Sequence, residues 1–270
     1  MMKKTKKYLI VAGNCLKGAL EYRTNYIIGL IGTVFPIFMQ CCIWTAIFKS
    51  SGASLLYGYT YSGLIMYSII SGLVSKLVQS SIQNEMAGDI KGGGLNKFLV
   101  QPIDYFFYKI SAAGGKKVVH SVIIVIVLIV SVFSGSFFVD WDLSFIQLVA
   151  FAISVFLGLM LNHILMFCIG TLAFKFHQIS GFFSTISLLT SIISGGIFPL
   201  DIFGTTFNRV MSYMPFKYIV YFQASILNGS IAGSSAWIGI AIQVLWIFVL
   251  YAFSRVVWNR GLKAYIAVGG

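Results

Sequence analysis

Few side chains in this sequence are equipped for covalent or acid–base chemistry, and their spacing does not gather them. The three histidines, His120, His163 and His177, fall on separate elements, none at local spacing from a carboxylate. Neither H-E-x-x-H, which would aim two imidazoles from one helix face at zinc, nor the nucleophile turn G-x-S-x-G occurs. A phosphate-cradling loop requires G-x-x-x-x-G-K-[ST] between a strand and a helix. Neither Gly92–Lys97 nor Gly114-Gly115-Lys116-Lys117 has that pattern, so the sequence excludes nucleotide binding by this chain. Cys15, Cys41, Cys42 and Cys168 lack metal-ligand spacing and read as small apolar packing residues. What remains is a set of polar residues embedded in apolar sequence: Gln40, Lys76, Asn162 and His163. An ionisable group at membrane depth is a functional candidate by default. The simpler reading of His163, which has no acidic partner, is an interhelical hydrogen bonder. Lys76 is placed about 10 Å from its segment's centre at 1.5 Å per residue and can snorkel to the interface. The carboxylates Glu21, Glu85, Asp89, Asp104, Asp140, Asp142 and Asp201 all fall at segment ends or in loops, which argues against a buried proton relay.

The elements that must position these residues are membrane helices. The chain has 270 residues, of which 58% are hydrophobic and 10% charged. A soluble domain carries about 25% charged residues, so this composition excludes an ordinary soluble enzyme, a disulfide scaffold and a disordered tail. Mean hydropathy is +0.90. Six stretches approach the roughly 20 apolar residues a spanning helix needs: 26–48, 55–82, 118–138, 145–174, 179–200 and 235–256. A kink is expected at Pro36, beside Gln40. Alternating the sides of these stretches puts fifteen of the nineteen Lys and Arg on the side of both termini and three, Lys49, Arg209 and Lys217, on the other. That asymmetry predicts cytoplasmic termini. The net charge of +12 therefore reflects topology rather than nucleic-acid binding. The apolar run Tyr8–Ala12 is too short for a secretory leader of roughly 7–15 apolar residues, so the segment is expected to be retained. With no repeat or linker in view, 1–270 reads as a single domain.

Three segments outside the spans carry further information. Over Lys3–Arg23 (or 3–24), helical projection puts Tyr8, Leu9, Ala12, Cys15, Leu16, Ala19 and Leu20 on one face and Lys6, Lys7, Lys17 and Glu21 on the other. This predicts an amphipathic interfacial helix with lysines toward anionic headgroups, either a plain topology anchor or an elbow that also touches a cytoplasmic partner. The loop 84–117 holds a short helix bearing Glu85, Asp89 and Lys91, the run Gly92-Gly93-Gly94, and an apolar stripe of Leu95, Phe98 and Leu99 stopped by Pro102. It reads as an interfacial loop or as a docking element for a cytoplasmic protein. The segment 195–227 is aromatic but broken at Gly195, Gly196, Pro199 and Pro215, with Phe198 and Phe216 at the breaks. It predicts a re-entrant helical hairpin on the outer side, packed on the spans as a gate, with an aromatic-belt loop as the alternative.

This layout resembles the ABC-2-type permeases, the membrane subunits of bacterial ATP-binding-cassette exporters. The resemblance covers essentially the whole chain. It rests on Asp89-Ile90-Lys91-Gly92 with Gln101-Pro102-Ile103-Asp104-Tyr105, on Ser194-Gly195-Gly196-Ile197-Phe198-Pro199 with Met214-Pro215-Phe216, and on the basic tail Arg260-Gly261-Leu262-Lys263-Ala264-Tyr265. Gly92-Gly93-Gly94 departs from the pattern, where fewer glycines and often a basic residue are expected. The resemblance implies an all-α, polytopic protein of the bacterial plasma membrane that does no chemistry itself. ATP and magnesium would be held by a separate cytoplasmic ATPase dimer. A second permease, more often a different chain than a second copy, would complete the pathway. Glu85, Asp89, Lys91, Leu95, Phe98, Leu99 and Pro102 would then be the coupling residues, and a dimer interface would use the first and fifth spans. A carboxylate-free, aromatic interior favours an amphiphilic or hydrophobic cargo. The alternative is a self-contained secondary carrier or channel.

Overall fold

The computed structural model describes residues 2–21, 24–135, 144–176 and 179–265. Arg23, Asp140, Asp142 and His177, and the side chains of Lys3, Lys4 and His120, lie outside the described residues. Among the described residues eleven α-helices follow in chain order: α1 (Met2–Glu21), α2 (Thr24–Ser51), α3 (Tyr61–Val78), α4 (Ile82–Lys91), α5 (Asn96–Leu99), α6 (Tyr105–Gly135), α7 (Phe145–Gly170), α8 (Ser180–Ile193), α9 (Thr205–Met211), α10 (Tyr221–Leu227) and α11 (Ser234–Lys263). Extended pairing among the described residues is confined to one bridge, Leu56 to Tyr59.

Helix starts follow local capping chemistry. The Thr60 hydroxyl accepts from the Gly63 amide at 3.1 Å, opening α3 six residues later than the apolar run suggests. Residues 55–59 turn instead of spanning, with Tyr57 and Gly58 both at positive φ. The Asp104 carboxylate accepts from the Phe106 and Phe107 amides and starts α6 well before the expected span at 118. Ser144 and Gln147 form a reciprocal capping box at the head of α7.

Four helical stretches among the described residues are long and apolar enough to cross a bilayer: 31–51, 61–91, 145–174 and 234–263. The two parts of α6, Tyr105–Val118 and Ser121–Val130, meet at 51° and make a fifth if taken as one span. The stretch expected as the fifth span, 179–200, is different. Its helix, α8, has 14 residues, about 21 Å at 1.5 Å per residue against roughly 30 Å of hydrocarbon. It ends where Gly195 takes φ +79°, a left-handed conformation that favours glycine. The Ser194 carbonyl there accepts the Tyr221 amide at 2.8 Å rather than continuing a helical ladder. The outward surfaces of α2, α6, α7 and α11 are apolar, with Phe38, Ile126, Phe156 and Phe248 exposed. Such a surface suits lipid rather than water.

The helix α7 is the central strut. Around its first half, one apolar cluster joins Tyr67 and Val74 of α3, Leu161 of α7, Phe222 of α10 and Ile240 of α11. Gln223 and Gln243 clasp the same layer, both side-chain amides donating to the Ser154 and Tyr218 carbonyls at 2.9–3.0 Å. Around its second half, another cluster joins Ile82 and Met86 of α4, Phe98 of α5, Tyr105 and Phe106 of α6, Phe167 of α7 and Trp258 of α11.

The helix α1 packs lengthwise on α6. Tyr8 accepts the Asp104 amide at 3.1 Å, and the Lys7 ammonium donates to the Pro102 carbonyl. Tyr8, Ala12, Cys15 and Ala19 are half-buried, whereas Leu9 and Leu20 on the same apolar arc are exposed. The amphipathic arc thus has a protein edge and an open apolar edge, with Lys6 and Lys17 exposed beyond it. Contact is close because residue 115 has no side chain: a Cβ on Gly115 would collide with the Ala12 backbone. Gly114 faces open space. Gly115→Val should therefore lift α1 from α6, at a cost of about 1–3 kcal/mol for overpacking, and let the loosened helix be cut by trypsin after Lys6, Lys7 and Lys17 several-fold faster. Gly114→Val should leave the cleavage rate unchanged.

Candidate functional site

The segment expected to dock a partner is built from α4, the glycine run and α5, folded against the head of α6. Its two carboxylates, Glu85 and Asp89, meet lysines of α6, whereas Lys91 and Lys97 are exposed. Lys109 of α6, only 7% exposed at its side chain, pairs with Asp89 at 2.7 Å and Glu85 at 3.4 Å. Lys116 pairs with Glu85 at 2.8 Å. The Tyr105 hydroxyl donates to Asp89 at 2.8 Å. Carboxylates four apart on α4 thus meet lysines seven apart on α6, spacings that place each set on one helix face. A buried ammonium must be paired to be tolerated, so Lys109 fixes the register of α4 on α6.

The apolar stripe divides. Leu95 and Phe98 are buried, with the Phe98 ring 5.0 Å from Tyr105 and 4.6 Å from Tyr108. Tyr105 stacks flat on Trp258 at 4.7 Å. Leu99 and Pro102 are exposed, and so is Val100, at 85%. Lys91 is exposed at the end of α4. Glu85, Asp89, Leu95 and Phe98 therefore hold the element in place, while Lys91, Leu99, Val100 and Pro102 form its outward ledge. Val100 is absent from the residues singled out by sequence; its signal was an apolar side chain one position beyond the stripe and two before the proline.

Two further ties lock this end. Arg255 of α11 pairs with Asp104 at 2.7 Å. Tyr265, in the basic tail, donates to Asn96 at 3.1 Å. Asp104 thus joins α1, α6 and α11.

At the other end, the chain from Gly195 to Leu227 folds back against α3. The Tyr67 hydroxyl donates to the Gly195 carbonyl at 2.6 Å, and Gly196 abuts Ser75. Phe198 meets Trp44 edge-on at 6.2 Å. Pro199 and Pro215 are buried and Phe216 is half-buried. Asp201, read from sequence only as a surface carboxylate, organises this region. It accepts from Tyr59 at 2.7 Å, Tyr221 at 2.8 Å and Asn208 at 2.7 Å. Burial, with Asp201 alongside, pushes the Tyr221 phenol up to about 12 and raises that of Tyr59, so both stay protonated donors. Burial lowers the Lys217 ammonium, which donates to Asn208 and Ser212.

Between the two ends, α2, α3, α7, α8 and the fold-back line a partly open cavity of about 460 Å³. It brings together three of the four polar residues picked out within apolar sequence: Gln40, Lys76 and Asn162. The Asn162 amide donates to the Val78 carbonyl at the end of α3. His163 does not line the cavity; it is buried, with Nδ1 on the Leu159 carbonyl at 2.8 Å. Sequence gave no sign that Ser75 and Phe198 share this wall, because they lie more than a hundred residues apart.

The family described as ABC-2 family transporter protein matches this chain over residues 34–269. Comparison with curated proteins gave no match.

The buried charge cluster makes a stability prediction. Asp89→Leu leaves Lys109 with Glu85 alone and should cost about 2–3 kcal/mol, read as a lowered thermal midpoint of the purified protein. Asp89→Leu with Lys109→Met removes both charges and should recover most of that loss. Additive losses would mean that the pair does not hold α4.

Proposed function

The chain belongs to the ABC-2 family of transporter proteins, and we propose that it is the membrane-spanning permease subunit of an ATP-driven bacterial exporter. It is a multi-pass membrane protein. In this reading the end that carries both termini faces the cytoplasm, because the basic residues concentrate there. ATP and magnesium act on a separate ATPase dimer. The cargo is amphiphilic or hydrophobic and moves outward, and a second permease, a different chain in preference to a second copy, completes the pathway.

The observation that carries the reading is the outward ledge of Lys91, Leu99, Val100 and Pro102. Exposed apolar side chains at the basic end, beyond the helices suited to lipid, need a protein partner. The ledge stands on a rigid base that reaches three spans: α4 continues toward α3, Phe98 packs on α6, and Trp258 brings in α11. An ATPase pressing on the ledge would move α3 and α6 as a unit. The helix α1, braced along α6, stiffens the same contact and lies outside the matched residues. The short α8 and the segment 195–227 act as an outer re-entrant gate. Exposed apolar residues of α2 and α8, such as Phe35, Phe38, Phe182 and Leu188, supply the face for the second permease.

A mild-detergent pull-down of the tagged chain from its host tests this. It should bring down a near-stoichiometric partner carrying G-x-x-x-x-G-K-[ST], together with a second polytopic chain. Leu99→Asp with Val100→Asp should reduce the recovered ATPase at least tenfold while leaving insertion and elution volume unchanged. A chain recovered alone that moves solute in vesicles without ATP would overturn the reading.

A further inference from the structure

The cavity between α2, α3, α7 and α8, which opens past Met39 and Leu188, has an unusual balance of groups for a space set among apolar helices. The side-chain nitrogen of Gln40, the hydroxyl of Ser75 and the side-chain oxygen of Asn162 are buried and have no hydrogen-bond partner among the described residues. All three residues line the cavity. Gln40 is 8% exposed and Asn162 is 5% exposed. Buried polar groups are almost always satisfied, so three unpartnered ones around a single space point to something that enters it.

Charge decides what enters. Lys76 is in the wall, half-buried, with no hydrogen bond or ion pair among the described residues. Lys117 of α6, which donates to the Leu77 carbonyl at 3.2 Å, lies close enough for the two ammoniums to repel. None of the lining residues is a carboxylate. Water could satisfy the amides and the hydroxyl, but it would leave two neighbouring cations uncompensated in a region of low dielectric. The rest of the wall sets apolar Pro36, Ile37 and Phe198 beside the small hydroxyl residues Thr33, Ser187 and Ser191.

We infer that this cavity binds an amphiphile with an acidic headgroup, a phosphate monoester or a carboxylate, whose anion rests against Lys76 and the Gln40 amide. A hydroxyl on the ligand would donate to the Asn162 oxygen, which is held in place by the amide's own bond to Val78. The apolar chain would run along α2 toward Phe198. This rests on the permease reading and deepens it, since it names the class of cargo or lipid that the membrane part selects.

The test uses the purified full chain in nanodiscs, without ATPase or ATP, and three radiolabelled probes with the same acyl chain: oleoyl lysophosphatidic acid, oleate and oleoyl lysophosphatidylcholine. The wild-type protein should bind at least one of the acids at least tenfold more tightly than the zwitterion, and the stronger acid identifies the headgroup. Lys76→Gln should abolish that preference, Lys76→Arg should keep it within about threefold, and Gln40→Leu should weaken acid binding several-fold. Equal binding of acid and zwitterion, or a preference that survives Lys76→Gln, would overturn the inference. Because no ATPase is present, either failure leaves the permease reading standing; that reading falls only with the co-purification experiment.

Discussion

Lys109 is the constraint around which the basic end of the molecule is arranged. An ammonium group that is 7% exposed cannot stand alone, and both carboxylates that serve it lie on α4. Pairing it fixes one helix on another to within a single register, since a slip of one residue would turn Glu85 and Asp89 away. The surrounding rings then close around the pair: Tyr105 donates to Asp89 while stacking on Trp258, and Phe98 seals the other side. Breaking such a pair is expensive, although its formation adds little over a well-packed apolar core. Its contribution is therefore specificity, a single rigid placement for the ledge outside it.

The opposite end solves a different problem. A chain that breaks at Gly195 and returns to helix only in the short pieces α9 and α10 has backbone groups to satisfy in apolar surroundings. The Ser194 and Gly195 carbonyls are taken by the Tyr221 amide and the Tyr67 hydroxyl. Asp201 collects three donors from segments more than a hundred residues apart in sequence. The two ends communicate through α7, which packs on α3, α4, α10 and α11. The cavity lies between them, bounded by the fold-back and by the last turn of α3.

The sequence conveyed these features unevenly. Helix class, the start of α7 at Phe145 and the break at Gly195-Gly196 follow from periodicity, capping and glycine chemistry, all local. The late start of α3 was hidden because Leu55, Leu56 and Tyr57 are apolar enough to pass for helix, while the left-handed turn at Tyr57 and Gly58 is closed by the pairing of Leu56 with Tyr59. The early start of α6 was hidden because Lys109, Lys116 and Lys117 count as loop residues until their partners on α4 are known. Coupling residues were legible as a segment but not by role, since facing inward or outward is a tertiary property. Asp201 and the cavity wall depend on contacts between distant segments, which hydropathy does not encode. The ion-pair spacing on α4 and α6 was the one long-range contact open to inference.

The central claim is that α4 and the head of α6 form one rigid body that transmits motion from the ledge. Spin labels at Asn84 on α4 and Val118 on α6, in a background with Cys15, Cys41, Cys42 and Cys168 replaced, allow the separation to be measured by double electron–electron resonance. The protein would be in nanodiscs with its co-purified ATPase, with and without ATP. The account predicts one narrow distance distribution that nucleotide leaves unchanged. A second population, or a broadening that appears with ATP, would contradict it.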